Sequence, residues 1–272
     1  MSTLYQWYVA PSSIRCLICS VRIHINCTNI DQLPGVRHEG TPEGKFEQIG
    51  GVECYVAMPP GDYDKSKAVL YFTDAFGIPL NNSKLLADTF AHNSYRTIIP
   101  DYMHGDPVPL DVFENPGQFD LKAWIGRHGE DVWKPDVDNV VAALKAEGVT
   151  RIGTTGYCYG GPAAFHLGIS NTSTATVVTH PALLNPEVLE RYRDESKVPL
   201  LINSCEVDEQ FPLPLQAKAD EILKNFAPGY EKTYWEGCTH GFAVRGDISD
   251  PKVKAAKEGV FGTTVKFFQK HL

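Results

Sequence analysis

No stretch of this 272-residue chain approaches the eighteen consecutive apolar residues that a membrane span requires, so a membrane-crossing protein is not expected. Excess positive charge is missing too. Against 33 Asp and Glu stand 25 Lys and Arg, a net charge of −8, which argues against nucleic acid as a partner. The first residues have neither the basic start nor the continuous apolar core and small-residue cleavage site of a secretory signal. Seven cysteines are present, an odd number, and without a signal they are expected as free thiols in a reducing, cytoplasmic setting. Internal repeats are absent, and no linker divides the chain after its first segment.

That first segment, residues 1–30, stands apart. It contains Arg15 and Arg22 but no acidic residue, and its apolar residues follow no period. Three readings remain open: an irregular, poorly ordered extension, a mitochondrial targeting segment, or a zinc site from Cys16, Cys19, His24 and Cys27. The His24-x-x-Cys27 spacing is tighter than common zinc knuckles use, and the extension is the expectation carried forward.

From Gly40 onward strands and helices alternate. Phe46 to Met58 alternates in polarity around Gly50-Gly51 and predicts an antiparallel hairpin at a sheet edge. Lys67 to Asp74, Tyr95 to Pro100, Ile152 to Tyr157, Ala175 to Thr179, Val198 to Ser204 and Glu231 to Trp235 read as strands. Helices are expected over Asn82 to His92, Lys134 to Glu147, Pro162 to Ile169, Pro186 to Glu195, Leu213 to Asn225 and Pro251 to His271. Such alternation means right-handed crossovers and one α/β domain, a mostly parallel sheet with helices on both faces. The Pro-, Gly- and His-rich segment Tyr102 to Gly129 is a long excursion of the kind that covers a binding site.

The chemistry centres on Gly156-Tyr157-Cys158-Tyr159-Gly160-Gly161, a G-x-S-x-G nucleophile elbow with Cys158 where Ser would stand. A strand that turns at once into a helix strains its central residue, and side chains two positions either side would collide, hence the glycines. At a helix start the dipole favours a thiolate, and the Tyr159 N–H is placed to bind an oxyanion. An inert buried Cys158 is the alternative. In a parallel sheet the partners of a nucleophile lie at the carboxyl ends of later strands. Two ends qualify: Cys205-Glu206-Val207-Asp208 and Glu236-Gly237-Cys238-Thr239-His240. The order Cys158, Asp208, His240 is that of the α/β-hydrolase triad, with His240 as base and Asp208 as its orienting acid. Glu206 and Glu209 are rivals for the acid. His180, at the end of the strand after the elbow, is a candidate pocket-lining residue or a structural one.

Gly-Tyr-Cys-Tyr-Gly-Gly at 156–161, Asp208, and His240-Gly241-Phe242-Ala243 resemble the dienelactone hydrolase family, and the resemblance runs from about His38 to the C-terminus, residues 38–272. It implies an α/β-hydrolase with a Cys-His-Asp triad that cleaves a small ester or lactone through an acyl-thioester. No metal and no organic cofactor is implied, and a monomer or homodimer is expected. A thioesterase or aryl esterase using the same triad, or a ligand-binding member without catalysis, are the alternatives. The resemblance also implies that Asp74, before Ala75-Phe76-Gly77, modulates the thiol, and that the Ala75 N–H is the second oxyanion donor. Arg245, read as a ligand for a substrate anion or else as a solvent-exposed arginine, lies one position later than the arginine with which bacterial members bind a substrate carboxylate. The loop Tyr102 to Pro109, where they carry another, has no Arg.

Overall fold

The computed structural model describes residues 35–272 apart from 113 and 116. The readings placed on residues 1–30, an extension, a targeting segment or a zinc site, lie outside the described residues. Gly50 and Gly51, at φ 63° and 83°, turn strand β1 (Lys45–Ile49) back on β2 (Val52–Ala57) with Ile49 opposite Val52, as the alternating pattern predicts.

Next come β3 (Lys67–Phe72), α1 (Asn81–His92), β4 (Thr97–Pro100), α2 (Leu121–Arg127) and α3 (Glu130–Ala146). Strand β5 (Arg151–Tyr157) runs through a single turn of 3₁₀ helix into α4 (Gly161–Ile169), followed by β6 (Ala175–Thr179) and α5 (Pro186–Glu195). The chain closes with β7 (Leu200–Val207), α6 (Leu213–Leu223), β8 (Tyr230–Thr239), the four-residue α7 (Phe242–Arg245) and α8 (Pro251–His271).

The eight strands form one sheet in the order β1-β2-β4-β3-β5-β6-β7-β8, parallel from β4 to β8 and antiparallel where β2 meets its two neighbours. Both faces are buried, and alternate residues of one strand serve opposite cores. Ala68, Leu70 and Phe72 pack with α3, α4 and α5, whereas Val69 and Tyr71 pack with α1 and α8. Because β3 and β5 to β8 run the same way, their carboxyl ends share one edge. Asp74, Cys158, His180, Asp208 and His240 all follow directly on such ends.

Two departures from the sequence reading matter for the site. The helix expected from Lys134 begins at Glu130, so Pro135 lies inside it, where it has no N–H to give to the preceding turn. The last strand, expected to stop at Trp235, continues to Thr239 through a bulge: Trp235 pairs with Cys205, yet Thr239 pairs with Val207. Gly237, at φ 77°, absorbs the extra residues, and its N–H is held by Glu206 Oε2 at 2.8 Å. The His240 N–H then donates to the Val207 carbonyl at 3.0 Å, which sets His240 beside the end of β7.

The turn from β5 to α4 is the tightest crossing. A Cβ on Gly160 would stand 2.3 Å from the Phe72 carbonyl oxygen, and one on Gly156 would stand 2.4 Å from the Gly160 oxygen. Both contacts are with backbone, which cannot swing aside. Gly160→Ala is therefore expected to lower the thermal unfolding midpoint by roughly 5–10 °C. Gly262→Ala in α8, where nothing stands within 4 Å of the new methyl, should raise it slightly. Differential scanning calorimetry of the two variants checks the contrast.

Candidate active site

Cys158 occupies the crowded elbow at φ 50°, the left-handed region that a non-glycine residue enters only when its surroundings force it. Its carbonyl accepts the Ala182 N–H at 2.9 Å, which ties the elbow to the loop after β6. The thiol is partly exposed and borders a cavity of ≈ 460 Å³.

Of the three carboxylates at the end of β7, Glu206, Asp208 and Glu209, it is Asp208 that takes the histidine. His240 Nδ1 lies 2.8 Å from Asp208 Oδ1, and that same oxygen accepts the Gln210 and Phe211 N–H groups at 2.9 Å each. Asp208 Oδ2 is within 3.7 Å of the Cys205 thiol, and the carboxylate side chain has no exposed surface. Glu206 is committed to the bulge of β8, and Glu209 stands at the cavity. His240 Nε2 is buried and is the ring nitrogen that Asp208 does not engage. Burial works against a charged imidazole, but the Asp208 hydrogen bond and the Cys158 thiol outweigh it and bring the His240 pKa up to about 9. An imidazolium at neutral pH is the partner a thiolate needs.

Asp74 is wholly buried. Its Oδ2 accepts Arg245 Nε at 2.8 Å and its Oδ1 accepts the Phe76 N–H at 3.1 Å. Burial raises the Asp74 pKa and the Arg245 charge opposes that rise. The Arg245 guanidinium also lies 4.9 Å from the centre of the Phe76 ring and covers Gly241, where a Cβ would come within 2.6 Å of it. Helix α7, which carries Arg245, is itself fixed. Asn82 Nδ2 and Lys257 Nζ donate to the Val244 carbonyl at 2.8 and 3.3 Å.

His180 departs from the pocket-lining expectation. It is fully buried at φ 38°, outside the cavity wall, with its ring centre 5.1 Å from that of His240 and 5.6 Å from that of Phe242. Burial, together with the charges of His240 and Arg245, holds its pKa well below the usual imidazole value, so it backs His240 as a neutral ring.

The excursion forms a large part of the cavity wall, contributing Val108, Val112, Phe119, Leu121, Trp124 and Ile125. Tyr159, the residue after Cys158, anchors it. Its hydroxyl donates to the His128 carbonyl at 2.6 Å, its ring stacks on Tyr102 at 5.8 Å and 3°, and Trp124 meets it edge-on at 4.9 Å. The sequence reading named none of these wall residues individually; the one available signal was their apolar character inside an otherwise polar, Pro- and Gly-rich segment. No helix among the described residues is long and apolar enough to cross a membrane.

A strained elbow, a histidine at the end of the last strand and a walled cavity over both are the arrangement of an α/β-hydrolase. The sequence model of the dienelactone hydrolase family matches residues 52–272, and the chain belongs to that family, which makes it a hydrolase of ester bonds. Among curated relatives, the Aspergillus violaceofuscus protein "Hydrolase pyvD" is 33% identical over 243 residues, covering 88% of this chain and 94% of the relative. "Dienlactone hydrolase 1" of Gibberella moniliformis is 32% identical over 239 residues, covering 84% and 88%. A dienelactone hydrolase-family crystal structure from Klebsiella pneumoniae superposes with a TM-score of 0.68 at 17% identity, covering 84% of this chain and 99% of that one. At that identity it speaks to the fold alone.

The raised His240 pKa has a consequence for stability. A folded-state value of about 9 against an unfolded value near 6.5 means the contribution is fully present below pH 6.5 and is lost as pH rises through 9. The gap amounts to about 3 kcal/mol. Denaturant unfolding of wild type and His240→Gln at pH 6 and pH 9.5 should show a stability difference that shrinks by an amount of this order at the higher pH.

Proposed function

We propose that the chain hydrolyses a small ester or lactone with Cys158 as nucleophile, His240 as acid and base, and Asp208 as the orienting carboxylate. The observation that carries this is the 2.8 Å contact of His240 Nδ1 with a buried, multiply hydrogen-bonded Asp208, while His240 and Cys158 border the same cavity.

The Cys158 thiolate attacks the carbonyl carbon, and the carbonyl electrons move to oxygen. The N–H groups of Tyr159 and Ala75, two residues that line the cavity, hold that oxyanion. Collapse breaks the acyl C–O bond, and His240 Nε2–H protonates the departing alkoxide. For a lactone the alkoxide stays attached, so ring opening and acylation are one event. Neutral His240 then takes a proton from water, the hydroxide attacks the thioester, and the thiolate leaves paired with the imidazolium. Throughout, Asp208 keeps the Nδ1 proton in place. Asp74 accepts from Arg245 and Phe76 rather than from the thiol, so in this arrangement it acts on Cys158 through its field. Neither step calls for a metal or an organic cofactor.

A panel of aryl esters and lactones assayed at neutral pH tests the roles. Cys158→Ala is expected to abolish turnover, and Asp208→Asn to lower kcat by roughly 10³–10⁴. Glu206→Gln should leave the pH-rate profile in place, because its carboxylate holds the β8 bulge and not the histidine. Equal losses for Asp208→Asn and Glu206→Gln would contradict the assignment of the acid.

A further inference from the structure

Of the nine large hydrophobic side chains that are exposed among the described residues, four border the catalytic cavity: Leu121 (50%), Ile125 (36%), Leu183 (45%) and Val207 (58%). They come from separate places. Leu121 and Ile125 are four apart on α2 and share a face, Leu183 follows β6, and Val207 ends β7. Leu183 holds φ 58°, which costs a branched residue backbone strain, and the loop that carries it is tied to the elbow through the Ala182 N–H. Four half-exposed aliphatic groups converging on one opening form a water-facing apolar rim, continuous with the wall of Val108, Phe119 and Trp124 beneath it.

The charges of the cavity are already matched, save one. Arg245 and His240 are the cationic groups that border it, and each faces a buried carboxylate, Asp74 and Asp208. Glu209 borders it as well and has no ion pair among the described residues, so the charge left over is negative. A substrate carboxylate entering here would meet the Glu209 charge, and the Nε of Arg245 is already given to Asp74.

Building on the ester or lactone reading above, we infer that the substrate is uncharged on its acid side and carries an apolar, ring-sized body that sits on Val112 and Phe119 and covers the rim. A cavity of ≈ 460 Å³ lies within the range that takes such a body whole. The rim leads without interruption to Cys158, and for that reason its occupant is the substrate and not a second protein that would seal the opening.

The test is binding to Cys158→Ala, measured by titration calorimetry, with 3,4-dihydrocoumarin and with the same lactone bearing a ring carboxylate. The neutral lactone is expected to bind at least about tenfold tighter. Leu121→Ser/Ile125→Ser and Val207→Ser, at positions already half exposed, should each weaken the neutral lactone by about fivefold to tenfold and leave the carboxylated one little changed. Glu209→Gln should narrow the gap between the two ligands. The inference is overturned if the carboxylated lactone binds equally or better, if neither binds, or if the rim substitutions shift sedimentation from dimer to monomer without altering affinity. Since binding is read without turnover, a wild type that binds the neutral lactone yet hydrolyses no ester would undo the catalytic reading and leave this one standing.

Discussion

The site depends on one close approach: the backbone of Gly160 crosses the carbonyls of Phe72 and Thr73, where a Cβ would fall within 2.3 and 2.7 Å of their oxygens. That crossing is possible only without a side chain, and it forces the preceding turn so tightly that Cys158 is held at φ 50°. Everything else about the placement of Cys158 follows. The thiol is lifted from the end of β5 toward the cavity, α4 begins immediately behind it, and Tyr159 is turned under the excursion, which its hydroxyl and ring then pin in place. Strain at one residue is thus offset by packing at its neighbour.

Around that point the buried charges are arranged in pairs. Asp208 is satisfied by His240, by two backbone N–H groups and by the Cys205 thiol. Asp74 is satisfied by Arg245 and by the Phe76 N–H. A buried carboxylate lacking such partners would be protonated instead, and neither would then support an imidazolium or anchor a guanidinium. The neutral His180 ring fits the same logic, since a third cation behind His240 and Arg245 would repel both. On the proposed reading the chemistry falls to the Cys158 thiol and His240 Nε2, whose residues both border the cavity.

Much of this was legible in the residues, and the limits have physical causes. Ala175–Thr179, Pro186–Glu195 and Pro251–His271 appear with the bounds their patterns predict, because fully buried strands and proline-started helices carry strong local signals. The elbow glycines and the chain order of Cys158, Asp208 and His240 were legible because each rests on a local geometric demand. The insertion of β4 between β2 and β3 was not, since strand order is a property of crossovers and leaves no mark on any one strand. Nor was the β8 bulge, which needs Glu206 from a different strand to hold Gly237. The sequence allowed Arg245 to be a ligand for substrate. Its pairing with Asp74, 171 positions away, depends on α7 being fixed by Asn82 and Lys257. The apolar rim escaped notice for the same reason: its four residues come from three segments remote in sequence that meet only at the opening.

The central claim is that Cys158 carries the acyl group. Mixing the enzyme with an activated aryl ester, quenching in acid within the first turnovers and mapping the peptides by mass spectrometry tests it directly. The account predicts an acyl mass on the peptide that contains Cys158, more abundant in His240→Gln, where water is no longer activated for deacylation. Hydrolysis that proceeds with the peptide unmodified, or with the acyl group on Cys54, Cys205 or Cys238, would contradict it.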